Sequence, residues 1–338
     1  MNLAFLLNEG FPSSDQNPFL GGGMAAVKCI LIIGGSGFIG SHLAMRLREK
    51  HKVYATYQYN PLIIPNVTFF PSKLENRDWV KRMIYTIKPD VIIYATGDND
   101  LDRAEKEDRR TEQLHGAGPA TVANVSELVH SKFIYISNSY VFDGNRGNYH
   151  ESDIALPWSV LGKAKVSGEN YIRGKCLDYV LIRPTPLYGR GLGHQFTLLD
   201  RMRRALDQGL KFELPTQELH GFASVNDFSD MMSHVIDAGV HNRILHFGGV
   251  TKVDYYTFGK MFAETFGYDP SLIVQAKKKQ QKSGNELIDE PTMDYSLNCS
   301  MMAELLKVKP LDLQESLDSF RSSLEPKSSS LQTQELRG

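Results

Sequence analysis

At 338 residues the chain is long enough to bury a substantial core, as one large domain or two smaller ones. Lys and Arg total 38 against 39 Asp and Glu, a net charge of −1, which argues against a nucleic-acid polyanion or an anionic membrane surface as partner. Cys29, Cys176 and Cys299 lie far apart, with neither metal-ligand spacing nor the even count of a disulfide framework, which fits a reducing, cytoplasmic setting; no apolar run approaches the roughly 18 residues of a membrane span. Residues 1–26 read as a flexible N-terminal extension. Its first seven residues are apolar but lack the basic stretch of a signal peptide, and translation starts at Met1 or at Met24.

Ile30-Leu31-Ile32-Ile33 then reads as one buried strand. It stops at a turn in which Gly34, Gly37 and Gly40 recur every three residues, and Ile39, Leu43 and Leu47 continue with a helical period. Missing side chains there let the backbone approach a pyrophosphate and let the helix pack closely on the strand. The helix N-terminus offers free N–H groups to the anion. Strand, loop and helix together predict a dinucleotide site.

A second strand covers 52–57, and its end is where an adenosine ribose would lie. Thr56, Tyr57 and Gln58 supply neither an acid for a 2′-hydroxyl nor an arginine for a 2′-phosphate, so NAD and NADP both stay open. A third strand at 67–70 precedes a helix from Asn76, with Val80, Met83, Ile84 and Ile87 on one face and Lys88-Pro89-Asp90 as its stop. The strand at 91–95 leads to Thr96 and to a densely charged, solvated stretch at 98–110. A helix over 111–129, a strand at 133–136 ending in Ser137-Asn138-Ser139-Tyr140, a helix over 158–173 and a strand at 179–182 complete the alternation.

The pattern predicts an α/β fold: a Rossmann-like, doubly wound parallel sheet over residues 27–185 with right-handed crossovers. Ligands in such sheets bind beyond the carboxyl ends of the strands, where Gly35, Thr96, Asn138 and Thr185 fall. Residues 186–324 read as a smaller α/β substrate-binding region forming the other wall of a cleft. Its expected features include short strands at 211–214 and 244–247 and an exposed loop at 277–284, before a flexible tail at 325–338.

With the glycine loop, Ser137-Asn138-Ser139-Tyr140-Val141-Phe142-Asp143-Gly144 and Gly162-Lys163-Ala164-Lys165-Val166-Ser167-Gly168-Glu169 in place, the chain resembles the extended short-chain dehydrogenase/reductases. Within them it is most similar to the dTDP-4-dehydrorhamnose reductase branch, which includes the regulatory subunit of methionine adenosyltransferase. The likeness takes in Arg183-Pro184-Thr185-Pro186-Leu187-Tyr188-Gly189 and His246-Phe247-Gly248-Gly249, and covers about residues 27–324. It implies NAD or NADP as cofactor, a nucleotide-linked sugar as small-molecule partner, and hydride passing between nicotinamide and a sugar carbon. The cofactor contacts it implies are Gly34, Ser36, Gly37, Phe38, Ile39 and Gly40 in the loop, with Tyr57, Ala95, Thr96, Lys165 and Pro184 around it.

In this family a Tyr four residues before a Lys does the acid–base work, both side chains sharing one helix face. The Lys lowers the phenol pKa and holds the nicotinamide ribose, a Ser or Thr positions the carbonyl, and an Asn on the preceding helix helps hold a relay water. Here Lys165 is present, but Leu161 stands in the Tyr position, Asn138 in the Ser/Thr position and, counting along the helix, His115 in the Asn position. Lys73 replaces an Asp near the adenine. General acid catalysis contributes about 10²–10⁴-fold, so the usual mechanism is expected to be absent.

Tyr140 is the candidate substitute acid and Asn138 can still hydrogen-bond a carbonyl oxygen, which makes Lys165, Tyr140 and Asn138 the catalytic candidates. Arg190 is a candidate for a diphosphate, while His115, His194 and His220 lack metal-ligand spacing and no metal site is expected. Two functions stand at this point. One is a nucleotide-sugar reductase or epimerase-like protein with a substituted donor. The other is a catalytically inactive dinucleotide- or sugar-nucleotide-binding regulatory subunit, acting as a homodimer or through a protein partner.

Overall fold

The computed structural model describes residues 26–324 apart from 73–75, 98, 279, 284–285, 290 and 310–311. The expectations for residues 1–25, for Lys73 and for the tail at 325–338 fall outside the described residues. A parallel sheet forms the centre: β1 (Cys29–Ile33), β2 (Lys52–Tyr57), β3 (Val67–Pro71), β4 (Val91–Tyr94), β5 (Lys132–Ile136) and β6 (Tyr179–Pro184), with the strand Arg243–Phe247 at its edge. Its order is Arg243–Phe247, β6, β5, β4, β1, β2, β3. The chain therefore runs outward from β1 to β3, returns to β4 on the other side of β1, and creates a switch point between β1 and β4.

Both faces of the sheet are covered, which explains why its strands are nearly continuous apolar runs. Ile30 and Ile32 pack with Leu43, Ala44 and Leu47 of the helix Phe38–Leu47 and with Phe228 and Met232 of the helix Val225–Asp237. Leu31 and Ile33 point the other way, against Val80 and Ile84 of Arg77–Ile87 and Val122 of Gly118–Leu128. The side chain of Asn76 accepts from the Trp79 amide at 3.0 Å and starts its helix, and Lys88, at φ 46°, turns the chain out of it.

Three features differ from the sequence reading. The helix expected over 111–129 is broken by a π-helical turn, Gln113–Ala117, that precedes Gly118–Leu128. Pro119 has no amide to give the His115 carbonyl, which instead accepts from the Tyr135 hydroxyl at 2.9 Å. The strand at 244–247 was expected in the smaller region; it pairs in parallel with β6 instead and covers an edge that would otherwise leave ladder groups unpaired. With Val225–Asp237 also packed on the central sheet, the chain beyond residue 185 contributes to both units. Within the stretch expected as a loop at 277–284, Gln280–Ser283 pairs antiparallel with Glu286–Asp289. The smaller unit has its own core, in which Phe222, Phe258, Phe262 and Phe320 meet.

Candidate active site

A cleft of about 370 Å³ opens at the carboxyl ends of the strands. Of the expected cofactor contacts, Gly34, Ser36, Gly37, Phe38, Ile39, Tyr57, Ala95, Thr96 and Lys165 line it, whereas Gly40 and Pro184 do not. Gly40 acts beneath the surface: a Cβ there would lie 2.2 Å from the Gly34 carbonyl oxygen. Gly34 has φ +88°, and a Cβ on it would come within 2.8 Å of the Thr96 backbone. The loop is pinned to β2 by hydrogen bonds from the Gly34 amide to Thr56 Oγ1 (3.0 Å) and from the Ser36 amide to the Thr56 carbonyl (3.2 Å). Gly37 supplies no side-chain cap, so amides of the first turn of Phe38–Leu47 are left to a ligand. Pro184 is buried at the end of β6, in register with Phe247.

Two residues that sequence reasoning missed define the ends of the cleft. Ser72 Oγ and Ser137 Oγ are buried, line the cleft and have no hydrogen-bond partner among the described residues. They follow β3 and β5, four strand spacings apart in the sheet, on the order of 19 Å at about 4.8 Å per spacing. Buried hydroxyls are ordinarily satisfied. An elongated ligand with its anionic centre at the glycine loop and polar groups at both ends fits these residues, and a dinucleotide has that form. Serines at strand ends are too common for their position alone to have identified them.

Lys165 is the sole charged side chain among the described residues lining the cleft. Its helix, Val160–Lys175, is capped by Ser159 Oγ, which accepts from the Gly162 amide at 3.1 Å. Only 2% exposed, Lys165 donates to the Ile136 carbonyl at 2.9 Å and lies 5.1 Å from the centre of the Tyr135 ring. Burial lowers its pKa to about 7, against the opposing pull of the Glu169 carboxylate one turn on. Glu169 is held by Arg183 in a buried, two-pronged ion pair, with Nε to Oε1 at 3.0 Å and Nη2 to Oε2 at 2.6 Å.

Arg183 also approaches His246 Nε2 at 3.4 Å. A guanidinium only donates, so Nε2 accepts and Nδ1 carries the proton that goes to the Tyr149 carbonyl at 3.0 Å. Burial and then Arg183 push the His246 pKa down to about 3, keeping it neutral.

Because Lys165 is more acidic folded than unfolded, the unfolded chain binds the extra proton between about pH 7 and 10.5, and stability rises with pH across that window. Lys165→Met is expected to stabilise the cofactor-free protein at neutral pH by a few kcal/mol and to remove this slope in urea titrations. A loss of stability would show instead that the ammonium is well accommodated.

The remaining candidates separate. Leu161 is wholly buried and does not line the cleft. Tyr140 does not line it either: its hydroxyl donates to Glu218 Oε2 at 2.9 Å, and its ring packs edge-on against Tyr295 and His220. Burial, Tyr255 and Glu218 hold its pKa well above 10, so the phenol keeps its proton. Asn138 is engaged in the turn Ser139–Val141, with Oδ1 accepting from the Tyr140 amide at 3.1 Å and Nδ2 donating to Asn99 Oδ1 at 3.2 Å. His115 is buried against Gly97, where a Cβ would meet its Cε1 at 2.0 Å. Arg190 is exposed in a separate depression with Arg203 and Arg204. Among the described residues no group of His, Cys, Asp and Glu forms a metal site, and no helix is long and apolar enough to cross a membrane.

Sheet order and glycine cradle define a Rossmann-type α/β protein with a dinucleotide-shaped cleft. The family model described as RmlD substrate binding domain matches residues 28–325, and the chain belongs to that family. It is 25% identical over 250 residues to dTDP-4-dehydrorhamnose reductase of Mycobacterium tuberculosis, covering 72% of this chain and 77% of the relative. It is 27% identical over 162 residues to methionine adenosyltransferase 2 subunit beta of Bos taurus, covering 47% of each. Among solved structures, dTDP-4-dehydrorhamnose reductase of Bacillus anthracis in complex with NADP superposes with a TM-score of 0.73 at 20% identity, over 88% of this chain and all of that one.

Proposed function

We propose that the protein binds NAD or NADP along the cleft, with a nucleotide-linked sugar on its open side, and that it does not use the tyrosine-dependent proton transfer of its relatives. The observation that carries this reading is the pair of unpartnered buried hydroxyls, Ser72 and Ser137, on either side of the glycine cradle. The loop amides and the first turn of Phe38–Leu47 take the pyrophosphate; Tyr57, Gln58 and Ser72 meet the adenosine; Lys165 and Ser137 meet the nicotinamide ribose. Bound there, the cofactor supplies hydride chemistry at a sugar carbon. A relative named as a dTDP-4-dehydrorhamnose reductase supports the sugar class.

A second reading, a regulatory subunit that binds the dinucleotide without turnover, is favoured by Leu161 in place of the phenol and by the likeness to methionine adenosyltransferase 2 subunit beta. It would act through a second copy or a protein partner. Either protein works in the cytoplasm. The test is fluorescence titration with NADH and NADPH, followed by hydride transfer to dTDP-4-keto sugars by wild type, Tyr140→Phe and Lys165→Ala. Binding with turnover supports the enzyme, binding without turnover on any such sugar supports the regulatory subunit, and failure to bind either dinucleotide sinks both. Turnover lost in Tyr140→Phe would give the acid role to Tyr140.

A further inference from the structure

The proton donors near the end of β5 reduce to a short set. Leu161 has none, and the Tyr140 hydroxyl is directed to Glu218 outside the cleft. The Asn138 amide holds the Ser139–Val141 turn. Lys165 Nζ lines the cleft and makes one hydrogen bond among the described residues, to the Ile136 carbonyl. An ammonium has three N–H groups, so two are left to face a ligand. The residue after β5 is Ser137, whose buried hydroxyl has no partner among the described residues and lines the same cleft.

We propose that Lys165, with the Ser137 hydroxyl beside it, is the proton source for a carbonyl oxygen bound at this end of the cleft, replacing the missing tyrosine, an assignment that rests on the dinucleotide reading above. As the carbonyl carbon receives hydride from a reduced nicotinamide dinucleotide, the π pair moves onto oxygen and forms an O–H bond with a proton from Nζ. The N–H bond breaks, its electron pair stays on nitrogen, and the neutral amine regains a proton from solvent. Ser137 donates a hydrogen bond to the same oxygen and stabilises its developing charge. A lysine whose pKa burial has brought to about 7 both carries the proton and releases it at neutral pH. The charged and titratable groups around it are Glu169 on its own helix, Tyr135 on β5, and Arg183 and His246 behind Glu169.

The test compares wild type with Lys165→Arg, Ser137→Ala and Tyr140→Phe in three measurements. These are NADPH affinity by fluorescence, acetic-anhydride labelling of Lys165 against pH in the cofactor-free protein, and kcat against pH for reduction of a dTDP-4-keto sugar. The expected labelling midpoint is about 7, with wild-type kcat falling above the same pH. Lys165→Arg lowers kcat about 100-fold or more and removes that fall, because a guanidinium keeps its proton and releases none to the oxygen. Ser137→Ala lowers kcat at saturating NADPH about tenfold or more, in addition to the weaker NADPH binding that follows from losing its contact with the nicotinamide ribose. A labelling midpoint in the ordinary lysine range, a kcat profile indifferent to Lys165→Arg, turnover lost in Tyr140→Phe, or NADPH binding without turnover overturns the proposal alone. Failure of wild type to bind NADPH overturns the dinucleotide reading with it.

Discussion

Gly40→Val is expected to abolish dinucleotide binding, raising the NADPH Kd at least about 100-fold by calorimetry, the equivalent of roughly 2.7 kcal/mol or more. The new Cβ would lie 2.2 Å from the Gly34 carbonyl oxygen and 2.8 Å from the Gly35 Cα, and backbone atoms cannot rotate aside as a side chain can. Relief requires the helix Phe38–Leu47 to move off the loop. The loop cannot follow, because Gly34 and Ser36 are tied to Thr56 on β2. Either way the cradle separates from the helix N-terminus that completes it. Gly174→Ala is the control: nothing lies within 4 Å of a Cβ there, and alanine improves helix propensity by about 1 kcal/mol. An affinity in Gly40→Val within about threefold of wild type would remove the glycine loop from the site.

Glu169→Gln is expected to destabilise the fold by about 3–5 kcal/mol in urea titrations, because it leaves the buried Arg183 guanidinium without its counter-charge. The same change removes the one charge that raises the Lys165 pKa, so the Lys165 labelling midpoint should move below about 7. Glu169→Gln with Arg183→Met should recover part of the stability but not the labelling midpoint. Recovery of both would show that Glu169 and Lys165 are not electrically coupled.

These two substitutions separate what was legible in the amino-acid pattern from what was not. The glycine loop, Lys165 and Leu161 four residues before it are visible because each is defined by spacing within one strand–turn–helix or one helix. The Glu169–Arg183 pair is not visible in that way: its members meet only because the helix Val160–Lys175 packs back across β6. Tyr140 illustrates the same limit. Its place after β5 is legible in the chain, whereas the partner of its hydroxyl, Glu218, lies 78 residues away and is brought to it only by the fold.

The sequence by itself determined the alternation of strands and helices and the position of the glycine loop, since hydrophobic period and glycine spacing are local properties of a chain. Only the tertiary structure decided that Arg243–Phe247 completes the central sheet and that, among the described residues, Lys165 is the charged group lining the cleft and Ser72 and Ser137 are left without partners. Edge pairing, desolvation and hydrogen-bond satisfaction depend on which distant segments come together, and no local pattern carries that information.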